Sequence, residues 1–163
     1  MQHMTYKHLA SNRLGLRRAA SVLLFTAAAA ATATATSGVE FRYALDDSAL
    51  DITKPIKGEE FTDAVKSFHE AGINPYNGNA EAISFGKEKY DELCAACHMP
   101  DASGKIGPGL IDDVVSNKRA NTDVGKFEVI YSGAAGAMRS FSERGVTQDQ
   151  ILKIIAYVNS LKK

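Results

Sequence analysis

Apolar positions recur at helical spacing in four stretches of the chain and at strand spacing in one. Ile83, Gly86, Tyr90 and Leu93 follow one another at offsets of three, four and three, which places them on one face of a helix. Ile151, Ile154, Ile155, Val158 and Leu161 form a longer stripe, and Thr147-Gln148-Asp149-Gln150 ahead of it reads as a capping box. Between them, Thr122 can cap a short helix with Val124, Phe127 and Tyr131 on one side, ended by Gly133. Upstream, Phe61, Val65 and Phe68 predict a helix over Glu60 to Ala71. Val39, Phe41, Tyr43 and Leu45 instead alternate with Glu40, Arg42 and Ala44, the pattern of a half-buried strand, and Asp46-Asp47-Ser48 turns it toward Leu50-Asp51-Ile52. An all-α domain preceded by a small hairpin and a helix follows, although periodicity alone fits the core of any globular protein.

The first 35 residues have a different character. Lys7, Arg13, Arg17 and Arg18 stand there with no acid, followed by the apolar run Ala19 to Phe25 and the small-residue tract Ala31 to Thr36. This is an export signal, cut at about Ala33 or Ala35. Its apolar part falls short of the roughly 20 residues of a spanning helix, so no stable membrane insertion is expected. The 163 residues balance 19 Lys and Arg against 19 Asp and Glu. Loss of residues 1–35 takes four of the bases and no acid, leaving a formal charge of −4. An acidic domain gives no reason to expect nucleic acid or anionic lipid as a partner, and it fits basic or polar docking surfaces.

The chemistry lies in the two cysteines. Cys94-Ala95-Ala96-Cys97-His98 holds both of them, three apart, with a histidine directly after. A disulfide suits an exported protein, and a redox dithiol suits the C-x-x-C spacing. His98 favours a third reading: both thiols form thioethers with the vinyl groups of one haem c, and His98 is the proximal iron ligand. Structural zinc wants four Cys or His ligands, more than this segment offers. No second C-x-x-C-H occurs, so one haem is expected.

On these residues the chain resembles the class I cytochromes c, whose fold it is therefore expected to share. In that family the first and last helices cross with a small residue against an aromatic, for which Gly86 and Tyr157 are the candidates. The family also places a Pro near the proximal His, and Gly107-Pro108-Gly109-Leu110 matches that element. The resemblance implies that a carbonyl at Pro108 accepts a hydrogen bond from His98, orienting the imidazole. For the sixth ligand, His3, His8, Met1 and Met4 leave with the signal, and Met99 is too close to His98 to reach the opposite haem face. Met138 and His69 remain. Met138 follows Gly133-Ala134-Ala135-Gly136-Ala137, small residues that can lie against a haem plane, and it is favoured. His69 falls on the helix of Phe61 and Phe68 and is expected to face solvent or another surface. A His and Met pair is the usual electron-transfer arrangement and closes the iron to substrates, which argues against a haem sensor or enzyme.

Residues 36–80 exceed what a class I haem domain over 81–163 needs. With this extension the chain resembles cytochrome c-L, the electron acceptor of periplasmic quinoprotein methanol dehydrogenases. Val65-Lys66-Ser67-Phe68-His69-Glu70-Ala71-Gly72, Gly104 to Leu110, Asn121 to Phe127 and Gly133 to Met138 carry the resemblance. It implies Met138 as the distal ligand and a periplasmic electron carrier rather than an enzyme. It also implies a PQQ-dependent methanol or alcohol dehydrogenase as donor, and a downstream cytochrome c or terminal oxidase as acceptor. The chain stops at Lys163 without the long tail of many c-L proteins, so the variant serving the lanthanide-dependent dehydrogenase is an equal expectation. A generic cytochrome c shuttle, for which the extension is incidental, is the alternative.

Overall fold

The computed structural model describes residues 38–112 and 118–162. The proposed leader, residues 1–35, lies outside them. The described part is all-α: α1 (Asp63–Ala71), α2 (Ala80–Leu93), α3 (Ala95–His98), α4 (Asp123–Ser132) and α5 (Gln148–Ser160), with a 3-10 turn at Lys118–Asn121. Each longer helix starts at a polar cap whose side chain accepts a backbone N–H: Thr62 from Val65, Asn79 from Ala82, Thr122 from Gly125 and Thr147 from Gln150. The Thr147 box is reciprocal, because the Gln150 side chain accepts from the Thr147 N–H at 3.1 Å.

Helices α2 and α5 cross at closest approach where Gly86 meets the Lys153 carbonyl. A Cβ on Gly86 would lie 2.0 Å from that oxygen. The aromatic contact sits elsewhere: Tyr157 packs edge-on against Tyr90, ring centroids 5.2 Å apart. The expected pairing of Gly86 with Tyr157 is therefore split in two. The small residue admits backbone, and the aromatic one meets another aromatic a turn further along.

Two apolar clusters result. One joins Tyr90, Cys94 and Ala102 to Ile154, Tyr157 and Val158. The other joins Phe41, Leu50 and Ile52 of the extension to Val65, Phe68, Phe127, Tyr131, Ile151, Leu152 and Ile155. Its centre is a triangle of rings, with Phe41–Phe68 at 5.6 Å, Phe68–Phe127 at 5.1 Å and Phe41–Phe127 at 5.7 Å. The extension thus supplies part of the haem domain's own core.

The expected hairpin is reduced to one antiparallel backbone bridge, Arg42 to Ala49, and no strand forms among the described residues. Phe41 is buried and Val39 half-buried as the alternation required, but Tyr43 and Leu45 point outward, Leu45 at 63 % exposure. The reason is the turn: the chain reverses at 44–46, closed by the Asp47 N–H on Tyr43 O at 3.0 Å, so strand alternation no longer governs Leu45. Two buried acids pin the extension down. Glu128 accepts from the Arg42 N–H at 2.7 Å and from Arg119 at 2.8 Å. Glu59 accepts from the Gln148 N–H at 2.5 Å, at the positive end of α5.

Candidate haem site

Cys94 ends α2, and the single turn of α3 carries Ala95 to His98. Backbone bonds close that turn: the Cys97 N–H reaches Cys94 O at 3.1 Å and the His98 N–H reaches the same oxygen at 2.9 Å. Cys94 is buried in the second cluster and Cys97 is exposed, both as free thiols. Burial pushes the Cys94 thiol up to about 12, with Arg144 acting weakly against it.

His98 is buried, and its Nδ1 lies 2.8 Å from the Pro108 carbonyl oxygen. The carbonyl can only accept, so Nδ1–H donates and the free lone pair belongs to Nε2. No fully buried side-chain nitrogen or oxygen among the described residues lacks a partner, so Nε2, which makes no bond to them, is not sealed in the core. An imidazole held in this tautomer, with Nε2 free, fits an iron ligand. The loop that presents Pro108 is fastened to the same turn, through Gly104 N–H to His98 O at 3.0 Å and Gly107 N–H to Cys97 O at 2.9 Å. Gly107 lies flat against the imidazole, where a Cβ would come within 2.6 Å of His98 Cε1. Sequence reasoning found Pro108 as the partner of His98 but not the approach of Gly107 to the same ring. The Gly-Pro-Gly run was its only signal.

Met138 is half-buried and packs against the first cluster. Gly133, at φ 84° and with its N–H on Val129 O, ends α4 and opens the loop. The Ala134 N–H closes it by donating to Met138 O at 2.8 Å. Ser140 Oγ donates to Tyr131 O at 2.8 Å and holds the segment that leaves the loop. The loop is thus fixed at both ends, with Ala135, Gly136 and Ala137 exposed between.

The other candidate for the sixth position is engaged elsewhere. His69 Nε2 lies 2.6 Å from Gln148 Oε1, and its ring packs edge-on against Phe61 at 5.2 Å. It anchors α1 to the start of α5. Gln148 also donates through Nε2 to Ile52 O at 2.8 Å.

Residues 81–158 match the family model described as cytochrome c oxidase, cbb3-type, subunit III. The structure aligns with cytochrome cL of the marine methylotroph Methylophaga aminisulfidivorans at a TM-score of 0.72 and 37% identity, covering 76% of this chain and 81% of that one. The chain belongs to the cytochrome cL family. Cytochrome cL of Hyphomicrobium denitrificans aligns at the same TM-score of 0.72 and 35% identity, over 78% of this chain and 76% of that one. Cytochrome c-L of Methylorubrum extorquens is 37% identical over 125 residues, 77% of this chain. The chain spans 63% of that curated relative's length. The fold is that of the class I cytochromes c, and the cofactor of such a protein is one covalently bound haem c.

Proposed function

We propose that this protein is a periplasmic single-haem electron carrier that takes electrons one at a time from a PQQ-dependent methanol or alcohol dehydrogenase. Cys94 and Cys97 would attach the haem by thioether bonds, and His98 and Met138 would supply ligands to its iron. Residues 1–35 direct export. The observation that carries the reading is the His98 imidazole, locked on the Pro108 carbonyl with Nε2 free, in a chain of the cytochrome cL family.

The haem supplies reversible one-electron exchange at iron. The protein's residues do the rest. Pro108 and Gly107 fix the plane of His98, which keeps the ligand in place through both oxidation states. The Gly133–Met138 loop brings Met138 to the edge of the first core and leaves the small residues Ala135 to Ala137 where a partner can approach. Oxidation of an alcohol to an aldehyde releases two electrons and one haem takes one, so two encounters follow per turnover. Each encounter must be short, which suits a small, weak interface. The electron passes on to a second c-type cytochrome or a terminal oxidase.

The test is stoichiometric. Purified ferric protein is supplied as sole acceptor to a periplasmic quinoprotein alcohol dehydrogenase, and aldehyde and ferrous haem are both measured. Two ferrous haems per aldehyde support the proposal. Aldehyde formation that leaves the haem ferric contradicts it.

A further inference from the structure

The haem site leaves unused a part of the described chain that departs from its own sequence pattern. Tyr43 and Leu45, just ahead of and within the turn of the hairpin, are 43 % and 63 % exposed, although the sequence alternation would cover both. Single exposed apolar residues are ordinary; two of them within three positions at the end of a clamped hairpin offer a small apolar tip. The clamp runs along α4. The Arg42 N–H donates to buried Glu128, the Ala44 N–H to Ser132 Oγ at 3.4 Å, and Asp47 pairs with Arg119. Ser132 is the last residue of α4, and the next residue, Gly133, opens the loop that ends at Met138. The hairpin tip is thus held beside the distal loop.

We propose that the Tyr43 and Leu45 tip is a docking element for the electron donor of the haem, a partner surface with an apolar pocket rimmed by Lys or Arg. The inference rests on the proposed function and adds to it where the donor sits. Charge selects this occupant. Glu40 pairs with Arg42 at 2.6 Å, Asp47 with Arg119 and Asp51 with Lys54 at 3.1 Å, which leaves Asp46 as the tip acid with no ion pair among the described residues. An excess acid beside exposed apolar side chains disfavours anionic lipid and complements a basic rim. A second copy of this chain is disfavoured for the same reason, because self-contact of the tip brings Asp46 against its own copy. Redox interfaces lie at the small end of the range, so two side chains at the patch centre can dominate its affinity.

The experiment uses haem-loaded protein and whichever of a calcium-type and a lanthanide-type quinoprotein alcohol dehydrogenase reduces it in a saturable way. Leu45→Ser and Asp46→Asn are compared with the unaltered chain. Both sites are exposed, and the Asn amide oxygen keeps the bonds that Asp46 accepts from Ser48 while its charge is removed. Each substitution is expected to raise the half-saturating concentration about fivefold or more, with the midpoint potential and the rate of reduction by ascorbate unchanged. Half-saturation unchanged in both variants overturns the docking element and leaves the donor assignment standing. A changed potential or ascorbate rate also overturns it, since the effect then runs through the haem pocket. A dimer in sedimentation that Leu45→Ser dissociates overturns it in favour of self-association. Reduction of the unaltered protein by neither enzyme overturns both proposals.

Discussion

Gly86→Ala adds one methyl group at the point where α2 and α5 touch. The new Cβ would stand 2.0 Å from the Lys153 carbonyl oxygen, 2.5 Å from its carbon and 3.1 Å from the Ile154 nitrogen. Ordinary carbon-to-oxygen contacts are about 3.3 Å or longer, so the helices must separate by more than about 1 Å. The obstacle is backbone on both sides, and no side chain can swing away. A radial gap of this size forfeits a quarter to a half of each dispersion contact across the crossing, which includes the Tyr90–Tyr157 pair and buried Ile154. Overpacking costs about 1–3 kcal/mol and more where nothing can yield, while the change from Gly to Ala in a helix returns about 1 kcal/mol. At the upper end of that range a net loss of about 2 kcal/mol follows, or a fall in Tm of about 4–8 °C. Thermal unfolding of the haem-loaded protein by circular dichroism measures it, with exposed Ser84→Ala on the same helix as a control expected to be neutral or slightly stabilising. A Gly86→Ala protein that melts within about 2 °C of the unaltered chain, or above it, refutes the crossing as described.

Four further outcomes are expected. Met138→Ala removes the thioether ligand, so the midpoint potential falls and the long-wavelength ferric band of sulfur ligation disappears; an unchanged ferric spectrum places the sixth ligand elsewhere. Gly107→Ala presses a methyl on the His98 ring and destabilises the protein by about 1–3 kcal/mol, with a shifted potential in the same variant; equal melting and equal potential contradict the contact. Glu128→Ala removes the acceptor of the Arg42 N–H and one of the carboxylates, beside Asp47, that hold Arg119, with an expected loss of about 2 kcal/mol in denaturant unfolding. Burial pushes the Asp149 carboxyl up, but hydrogen bonds from Lys153 and Tyr76, the Lys153 charge and Thr62 outweigh it, leaving the pKa below its ordinary 3.8. A depressed carboxyl contributes stability above its unfolded pKa and loses it as pH falls through the folded one. The unaltered protein therefore loses stability as pH drops below about 4, and Asp149→Asn flattens that part of the profile; identical slopes contradict the assignment.

Local chemistry was legible in the chain. Thr122 and Thr147 cap helices through their own side chains and Gly133 ends one through its own backbone, so position in sequence was enough to find them. The haem motif was legible for the same reason, since Cys94, Cys97 and His98 share one turn. What crosses the fold was not. Glu128 and Arg42 are 86 residues apart and Gln148 and Glu59 are 89 apart, and nothing near either acid marks it as buried. His69 was expected to face solvent or another surface, yet its partner is a glutamine 79 residues on, at the cap of a helix it does not belong to. The hairpin failed differently. Alternation assigns faces only while the backbone stays extended, and here the chain turns at 44–46. Val39 and Phe41 lie ahead of that turn and are covered, and Tyr43 and Leu45 are exposed at it.

The central claim is a dedicated electron donor, and stopped-flow reduction of the ferric protein tests it most directly. Calcium-type and lanthanide-type quinoprotein alcohol dehydrogenases are mixed in turn with this protein and with an unrelated class I cytochrome c at matched ionic strength. The expected result is fast, saturable, salt-sensitive reduction by one of the two enzymes, well above the control. Reduction by both enzymes no faster than that of the control cytochrome contradicts the claim and leaves a general electron shuttle.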